Sequence, residues 1–447
     1  MVALSRTILA SLLATLALAS PLYDAPSQLT LSTSSPSPRI HAVPPSILAA
    51  LEAYPDDPVE ALLSLRPEMA QHLAEQRLLH VFEHGEPTWM TEGDKMRLRR
   101  LGLKFMDLTE RRDLADGANQ LMAGKAHMPN LTQQKFVKPC FADISTKKMH
   151  DVLHHMTSYY SRYYHSTTGA QSATWLHDHI AEIIAASPFQ TYISLEYHTH
   201  HFLQSSIVAR FEPPVRNASL PLTIIGAHQD SANYLFPLLP APGADDDCSG
   251  SVSILEAFRV LATRGFIPTN GPVEFHWYAA EEAGLLGSLD LAGYKKDLGM
   301  KVGAMLEFDM TAFIHANSTE AISFIKDEAD PDLTEWCASL AREYSDLPVT
   351  VTVLNAPAGS DYMSWTRAGY PSAFATEGDP VARGSFPGDF DPYVHTVKDR
   401  MDVDDESGVF SLDHMARFSE LAIAFVVEQA GWSLKHTRAD DNKQWDI

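Results

Sequence analysis

Leu222-Thr223-Ile224-Ile225-Gly226-Ala227-His228-Gln229-Asp230-Ser231 passes from a short apolar, β-branched run directly into histidine, glutamine and aspartate. A run of that length, with no polar alternation, reads as a strand buried on both faces. Chemistry placed just past its C-terminal end is where open α/β sheets build their sites. The pattern recurs downstream. Residues 273–279 lead into Glu281 and Glu282, and residues 302–308 lead into Asp309. Residues 321–325, 349–354 and 372–375 are further strand candidates, each bounded by Gly, Pro or Asp. Helical stretches at 251–264 and 287–298 lie between several of them, and a long apolar helix at 411–429 closes the pattern. Residues 146–186 read as helices with a break at Thr167-Thr168-Gly169. This alternation predicts an α/β fold with a mostly parallel central sheet flanked by helices. No internal repeat is present.

Upstream of this core the chain changes character. Arg6, an apolar run over 7–19 and the small residues Ala17 and Ala19 read as a secretory signal peptide, 1–19. The run is too short for a comfortable membrane span, so export without an anchor is expected. Residues 27–45 are rich in Ser and Pro, and residues 46–113 read as amphipathic helices with many charges and almost no glycine. The stretch 20–128 carries none of the later motifs. It is expected to be a helical pro-segment, removed after acting as a folding aid or inhibitor, and to leave 129–447 as the catalytic domain. A chain of 447 residues fits one large α/β domain plus such a segment.

Composition narrows the classes of partner. Hydrophobic residues make up 45% and charged residues 20%, ordinary values for a globular chain. The formal net charge of -23 argues against nucleic acid and against an anionic membrane surface, both of which need basic patches. A soluble, extracellular monomer is expected. Sequons at Asn130, Asn217 and Asn317 are compatible with a glycoprotein. The three cysteines, Cys140, Cys248 and Cys337, allow at most one intramolecular disulfide, so a large core must stabilise the fold.

Five motifs carry chemistry. In Gly226-Ala227-His228-Gln229-Asp230-Ser231, His228 offers an imidazole to a metal, and Asp230 can fix its tautomer by accepting the proton of the other ring nitrogen. In Gly243-Ala244-Asp245-Asp246-Asp247, three adjacent carboxylates repel one another, and a bound cation explains them better than an exposed acidic cap. Glu281 and Glu282 end a strand and cannot point the same way, so one can bind metal while the other holds a water proton. Asp309 follows an apolar strand, and His395 follows a Gly-, Pro- and Asp-rich loop. Two histidines and at least three carboxylates, without thiolate, suit two zinc ions of the catalytic kind.

In this order the motifs resemble those of the co-catalytic zinc aminopeptidases typified by secreted bacterial and fungal leucine aminopeptidases. The resemblance runs from about Leu131 to about Gly431. It implies a zinc exopeptidase-like fold, two Zn2+ per chain and substrates that are peptides with a free N-terminus, often leucine. His228, Asp246, Glu282, Asp309 and His395 would be the metal ligands, with Asp246 bridging. Which of the other four share an ion stays open. Glu281 would be the general base, and Asp230 would orient His228. Met310, Ile325, Phe374, Phe390 and Val394 would line the pocket for the first side chain. The resemblance also implies a signal peptide and a pro-segment that binds its own catalytic domain. Dinuclear zinc carboxypeptidases share this architecture, but no basic clamp for a C-terminal carboxylate stands out. A non-catalytic module on the same scaffold would have lost the base or ligands, and all remain.

One stretch departs from the family pattern. Where relatives carry Cys-Gly-Tyr-Ala-Cys, this chain has Asn355-Ala356-Pro357-Ala358-Gly359. The cysteine pair is absent, and so is the tyrosine that resembles an oxyanion donor, because Pro357 has no donor of its own. Tyr362 is the nearby candidate to replace it.

Overall fold

The computed structural model describes residues 41–432 except 83–84, 116–125, 216, 218 and 356–357. The expected signal peptide and Pro357 therefore lie outside the described residues. The N-terminal part contains helices α1 (Pro45–Ala53) and α2 (Pro58–Leu65), strands β1 (Gln76–Val81) and β2 (Thr88–Thr91), helix α3 (Glu92–Arg100) and strand β3 (Phe105–Asp107). Helices α4 (Thr146–Met156) and α5 (Thr167–Ala185) follow, then β4 (Ile193–His198), β5 (Ser206–Phe211) and β6 (Leu222–His228). The chain continues through α6 (Gly250–Thr263), β7 (Val273–Tyr278), α7 (Leu286–Asp297), β8 (Val302–Phe308), β9 (Phe313–His315) and β10 (Ile322–Ile325). It ends with α8 (Pro331–Tyr344), β11 (Val349–Thr352), α9 (Tyr362–Arg367), β12 (Ser372–Glu377), β13 (Gly408–Phe410) and α10 (Leu412–Ala430).

Eight strands form the central sheet in the order β11-β10-β12-β8-β6-β7-β5-β4, with helices flanking it. The sheet is mixed rather than mostly parallel. Strands β12, β8, β6 and β7 run parallel, as do β10 and β11. The β4–β5, β5–β7 and β10–β12 pairs are antiparallel. A short connection joins β4 to β5, and only an antiparallel pair can be closed that way. Neither of these two strands stands out in the sequence: β4 is a partly exposed edge strand that mixes polar and apolar residues, and β5, although mostly buried, carries Ser206 and Arg210 within a short run. The parallel centre is what the predominantly apolar runs specify, since β6, β7 and β8 are buried along their whole length, Glu274, His276 and Glu307 included.

The break between α4 and α5 falls at residues 157–166, not at Thr167-Thr168-Gly169. Ser166 caps α5, accepting the Gly169 N–H at 2.9 Å, so those three residues start the helix. Gly169 is small because the chain folds back on it: a Cβ there would meet the Tyr163 carbonyl oxygen at 2.2 Å. α6 and α10 pack together in the main core with Phe258, Phe275, Trp277 and Phe425. Cys140, Cys248 and Cys337 are buried and free, so this core is not cross-linked by them. The three sequon asparagines are exposed. Among the described residues no helix is long and apolar enough to cross a membrane.

The N-terminal part is not purely helical as expected. It folds as helices around a three-stranded antiparallel sheet in the order β2-β1-β3. Its charges explain the misreading, because several of them are interior. Asp107 lies 2.8 Å from Arg77 and 2.5 Å from Lys95, and Glu92 lies 2.9 Å from Lys95. All four side chains are buried. The unit also packs on the catalytic part. Ile47, Val59 and Met96 share a cluster with Phe236 and Leu239, and the Asp107 N–H donates to the Gly284 carbonyl at 2.9 Å. Removing one partner from a buried charge cluster leaves the others uncompensated. Asp107→Ala is therefore expected to destabilise this unit by about 3–5 kcal/mol. The expected readout is earlier proteolytic cutting within residues 41–115 while the catalytic part remains protected.

Candidate active site

β6 delivers His228 to the C-terminal edge of the sheet, where Asp247 accepts its backbone N–H at 3.1 Å. The ring is fully buried. Its Nε2 lies 3.0 Å from Asp246 Oδ1 and 3.6 Å from Asp309 Oδ1. Its Nδ1 lies 3.4 Å from Asp230 Oδ1. Asp230 also accepts the N–H groups of Glu281 at 3.0 Å and Glu282 at 3.3 Å. One carboxylate thus ties the end of β6 to the end of β7.

The other oxygen of Asp246 lies 2.8 Å from His395 Nε2, which in turn is 3.4 Å from Glu282 Oε2. Two groups of potential metal ligands result, His228–Asp246–Asp309 and Asp246–Glu282–His395, with Asp246 in both. The side chains whose pairing the sequence leaves open group by position as His228 with Asp309 and Glu282 with His395, each beside Asp246.

The three consecutive aspartates divide their roles. Asp245 accepts the Ala312 N–H at 2.9 Å, and burial pushes its carboxyl up to about 7. Asp247 accepts N–H groups from His228, Gly250 and Met310, which braces β6, α6 and the turn after β8. Only Asp246 faces both histidines. Asp399 holds this run in place by accepting the N–H of Asp245 at 2.7 Å and of Asp246 at 3.1 Å. Asp399 belongs to no motif recognised in the sequence. Its position four residues after His395 is the sole local signal.

Both ring nitrogens of His228 and Oδ1 of Asp309 are buried without a hydrogen bond. Orphaned polar atoms of this kind are costly in a native interior. Two imidazoles and three carboxylates converging on these orphans fit zinc in open, catalytic-type sites.

Glu281 stands beside these groups and belongs to neither. Burial raises its carboxyl well above the usual range, against the pull of Lys104. Lys104 comes from the N-terminal segment, which sequence reading had credited with none of this chemistry. Its ammonium lies 2.9 Å from Glu281 Oε1, 3.0 Å from Oε2 and 3.9 Å from Glu282 Oε2. Arg99 of the same segment donates to the Glu282 carbonyl at 2.7 Å.

An apolar cavity of about 210 Å³ opens beside Asp246, Asp309 and His395. Met310, Phe374, Phe390 and Val394 line it as expected, together with Phe386 and Lys104. Ile325 does not line it. It pairs with Phe374 in the β10–β12 register and is fully buried in the same apolar cluster, so it packs with the wall residues without lining the cavity. Tyr362 is also displaced from its expected role. Its hydroxyl donates to the Asp327 carbonyl at 2.8 Å, and its ring stacks on Phe374. A different tyrosine reaches the centre. Tyr234 lines the cavity, stacks on His395 with ring centroids 3.5 Å apart, and donates its hydroxyl to Glu282 at 2.7 Å. It lies on the irregular loop after Asp230, where no motif marks it.

Comparison with known proteins accords with this geometry. The family model described as Peptidase family M28 matches residues 206–419. Leucine aminopeptidase 1 of Grosmannia clavigera is 38% identical over 380 residues, covering 82% of this chain and 88% of that protein. Leucine aminopeptidase 1 of Sclerotinia sclerotiorum is 38% identical over 368 residues, covering 80% and 90%. Among solved structures, the LapA aminopeptidase of Legionella pneumophila is 26% identical with a TM-score of 0.66, covering 80% of this chain and 99% of that one. These matches are longer than residues 129–447, so they take in part of the N-terminal segment as well. With its ligand groups at the strand ends and relatives matched over most of its length, the chain belongs to peptidase family M28.

Proposed function

We propose that the protein is a secreted zinc aminopeptidase that releases N-terminal residues, leucine and other apolar ones first, from peptides, and that it is made as a self-blocked precursor. The observation that carries this reading is the pair of ligand groups sharing Asp246 at the mouth of an apolar cavity. His228 and Asp309 would hold one zinc, Glu282 and His395 the other, with Asp246 between them. When bound, the two ions would supply Lewis acidity at the scissile carbonyl and a lowered pKa for the attacking water. Glu281, buried and raised in pKa, would take the proton of that water and return it to the leaving amine. Asp230 would hold the His228 ring and the Glu281–Glu282 backbone in register. The cavity suits an aliphatic side chain, whose burial contributes roughly 1.5–3 kcal/mol.

Lys104 supports both the amine specificity and the precursor reading. A primary ammonium is what a free peptide N-terminus presents, and Glu281 and Glu282 already receive one from within the chain. While Lys104 stays there, Glu281 is ion-paired and the mouth of the cavity is filled. The segment 20–128 would then act as an inhibitor until it is displaced or removed. The signal-like N-terminus and the exposed sequons support secretion.

Hydrolysis of a leucine anilide tests the activity. Turnover is expected to vanish with a chelator and to return with zinc, and a glutamate or lysine anilide is expected to react far more slowly. Glu281→Gln should keep its zinc and lose turnover by roughly 10²–10⁴-fold. Near-normal turnover in that variant would remove Glu281 as the base.

Tyr234 is the hydroxyl best placed to stand in for the donor lost at Pro357. Tyr234→Phe is expected to lower kcat by roughly 100-fold with little change in KM, because such a donor acts on charge that develops in the transition state. A rise in KM at constant kcat would assign Tyr234 to substrate binding instead.

For the precursor reading, Lys104→Ala in the unprocessed chain should raise kcat/KM on the leucine anilide by about tenfold or more, a barrier change on the order of 1.4 kcal/mol. Equal activity in the two unprocessed proteins would leave Lys104 with a structural role only.

A further inference from the structure

A third group of metal-ligating side chains lies away from the active site, at the edge of the central sheet. His198 ends β4, His200 follows two residues later, and Asp290 stands on α7. His198 Nε2 lies 3.0 Å from Asp290 Oδ2, and His200 Nδ1 lies 2.8 Å from the same oxygen. The three ligand atoms lie within 4.8 Å of one another.

The surroundings hold this arrangement in shape. The far nitrogen of His200, Nε2, is 2.8 Å from Ser206 Oγ, and that hydroxyl accepts the Ala279 N–H at 3.0 Å. The His200 ring stacks on Phe202, with centroids 4.7 Å apart. Its side chain is 1% exposed, whereas that of Asp290 is 41% exposed. One ligand is therefore locked by the interior and another opens to solvent. A histidine whose second nitrogen is held by an outer partner is how metal-binding imidazoles are oriented.

The active site supplies the comparison of scale. Its nitrogen–oxygen separations between ligands run from 2.8 to 3.6 Å, and the two separations in the third group lie within that span. Two imidazoles, one carboxylate and a side open to water make up the donor set of an open zinc site.

We propose that His198, His200 and Asp290 bind a third divalent transition cation of the zinc class, separate from the catalytic pair. The ion would join the outermost strand of the sheet to α7, the helix that follows the Glu281–Glu282 turn. It would then act as a clamp on the fold, since an ion that binds only the folded chain stabilises it. Without an ion, the same three groups would be a hydrogen-bonded trio in which both imidazoles donate to Asp290.

Zinc stoichiometry on the full chain separates the two states. Wild type, His198→Ala and Asp290→Asn are each saturated with zinc, freed of loose metal by gel filtration and analysed for zinc per chain. Each variant is expected to hold one equivalent fewer than wild type while hydrolysing leucine anilide at the wild-type rate. Zinc is also expected to raise the Tm of wild type more than that of either variant. The comparison is a difference, so it stands whatever the absolute count at the catalytic centre. Asp290→Asn changes an exposed side chain with almost no change of shape, so it serves if His198→Ala fails to fold. Variants that retain the wild-type equivalents of zinc would overturn the proposal and leave the hydrogen-bonded trio. A variant that loses more than one equivalent together with activity would overturn the separateness of the site.

Discussion

Asp246 turns one oxygen to His228 and the other to His395, and the geometry of the site follows from that bifurcation. A carboxylate can face two imidazoles only if its backbone is immobile, and here the immobility is built from further carboxylates. Asp399 receives its N–H from one side, while Asp247 next to it draws together the ends of β6, α6 and the turn after β8. Asp230 does the same for the β6 and β7 ends. So much buried negative charge is unfavourable by itself, because each ion loses its hydration. Bound metal would offset that cost, so the same acids would serve the stability of the site and its chemistry.

That charge also accounts for the N-terminal unit. β3 and the turn before it bring Lys104 to Glu281, and a buried ammonium beside two buried glutamates is favourable where either alone is not. Burial works against the Lys104 ammonium, yet the neighbouring Glu281 and Glu282 carboxylates hold it well above its ordinary pKa. The unit can offer this lysine because it has a fold of its own. Its internal ion cluster around Asp107 and its apolar contacts with Phe236 and Leu239 fix where the turn lies.

The apolar cavity illustrates how strand registry decides which side chains line a cavity. Phe374 on β12 lines the cavity, while Ile325, its register partner on β10, is fully buried beside it. Tyr362 stacks against the back of that same ring and spends its hydroxyl on the Asp327 carbonyl. Tyr234 reaches the centre from a loop, where backbone freedom lets its ring lie flat on His395.

The sequence by itself determined the strands β6, β7 and β8, since short, predominantly apolar runs bounded by Gly, Pro or Asp have no comfortable place except inside a covered sheet. It also determined which residue types stand at their ends, while the family resemblance singled out the cavity residues, of which Met310, Phe374, Phe390 and Val394 line the cavity. It left β4 unread, because an edge strand half in water carries no such pattern, and β5 unread, because Ser206 and Arg210 interrupt its short apolar run although the strand is mostly buried. It misread the N-terminal unit as purely helical, because interior ion pairs look like surface charge until their partners are seen. Only the tertiary structure decided the grouping of His228 with Asp309 and Glu282 with His395, the bracing by Asp399, and the arrival of Lys104 and Tyr234. The physical reason is common to all of these. Local sequence sets the conformational preference and burial of a segment, whereas ligand grouping and charge pairing depend on where remote segments converge, and Lys104 and Glu281 stand 177 residues apart.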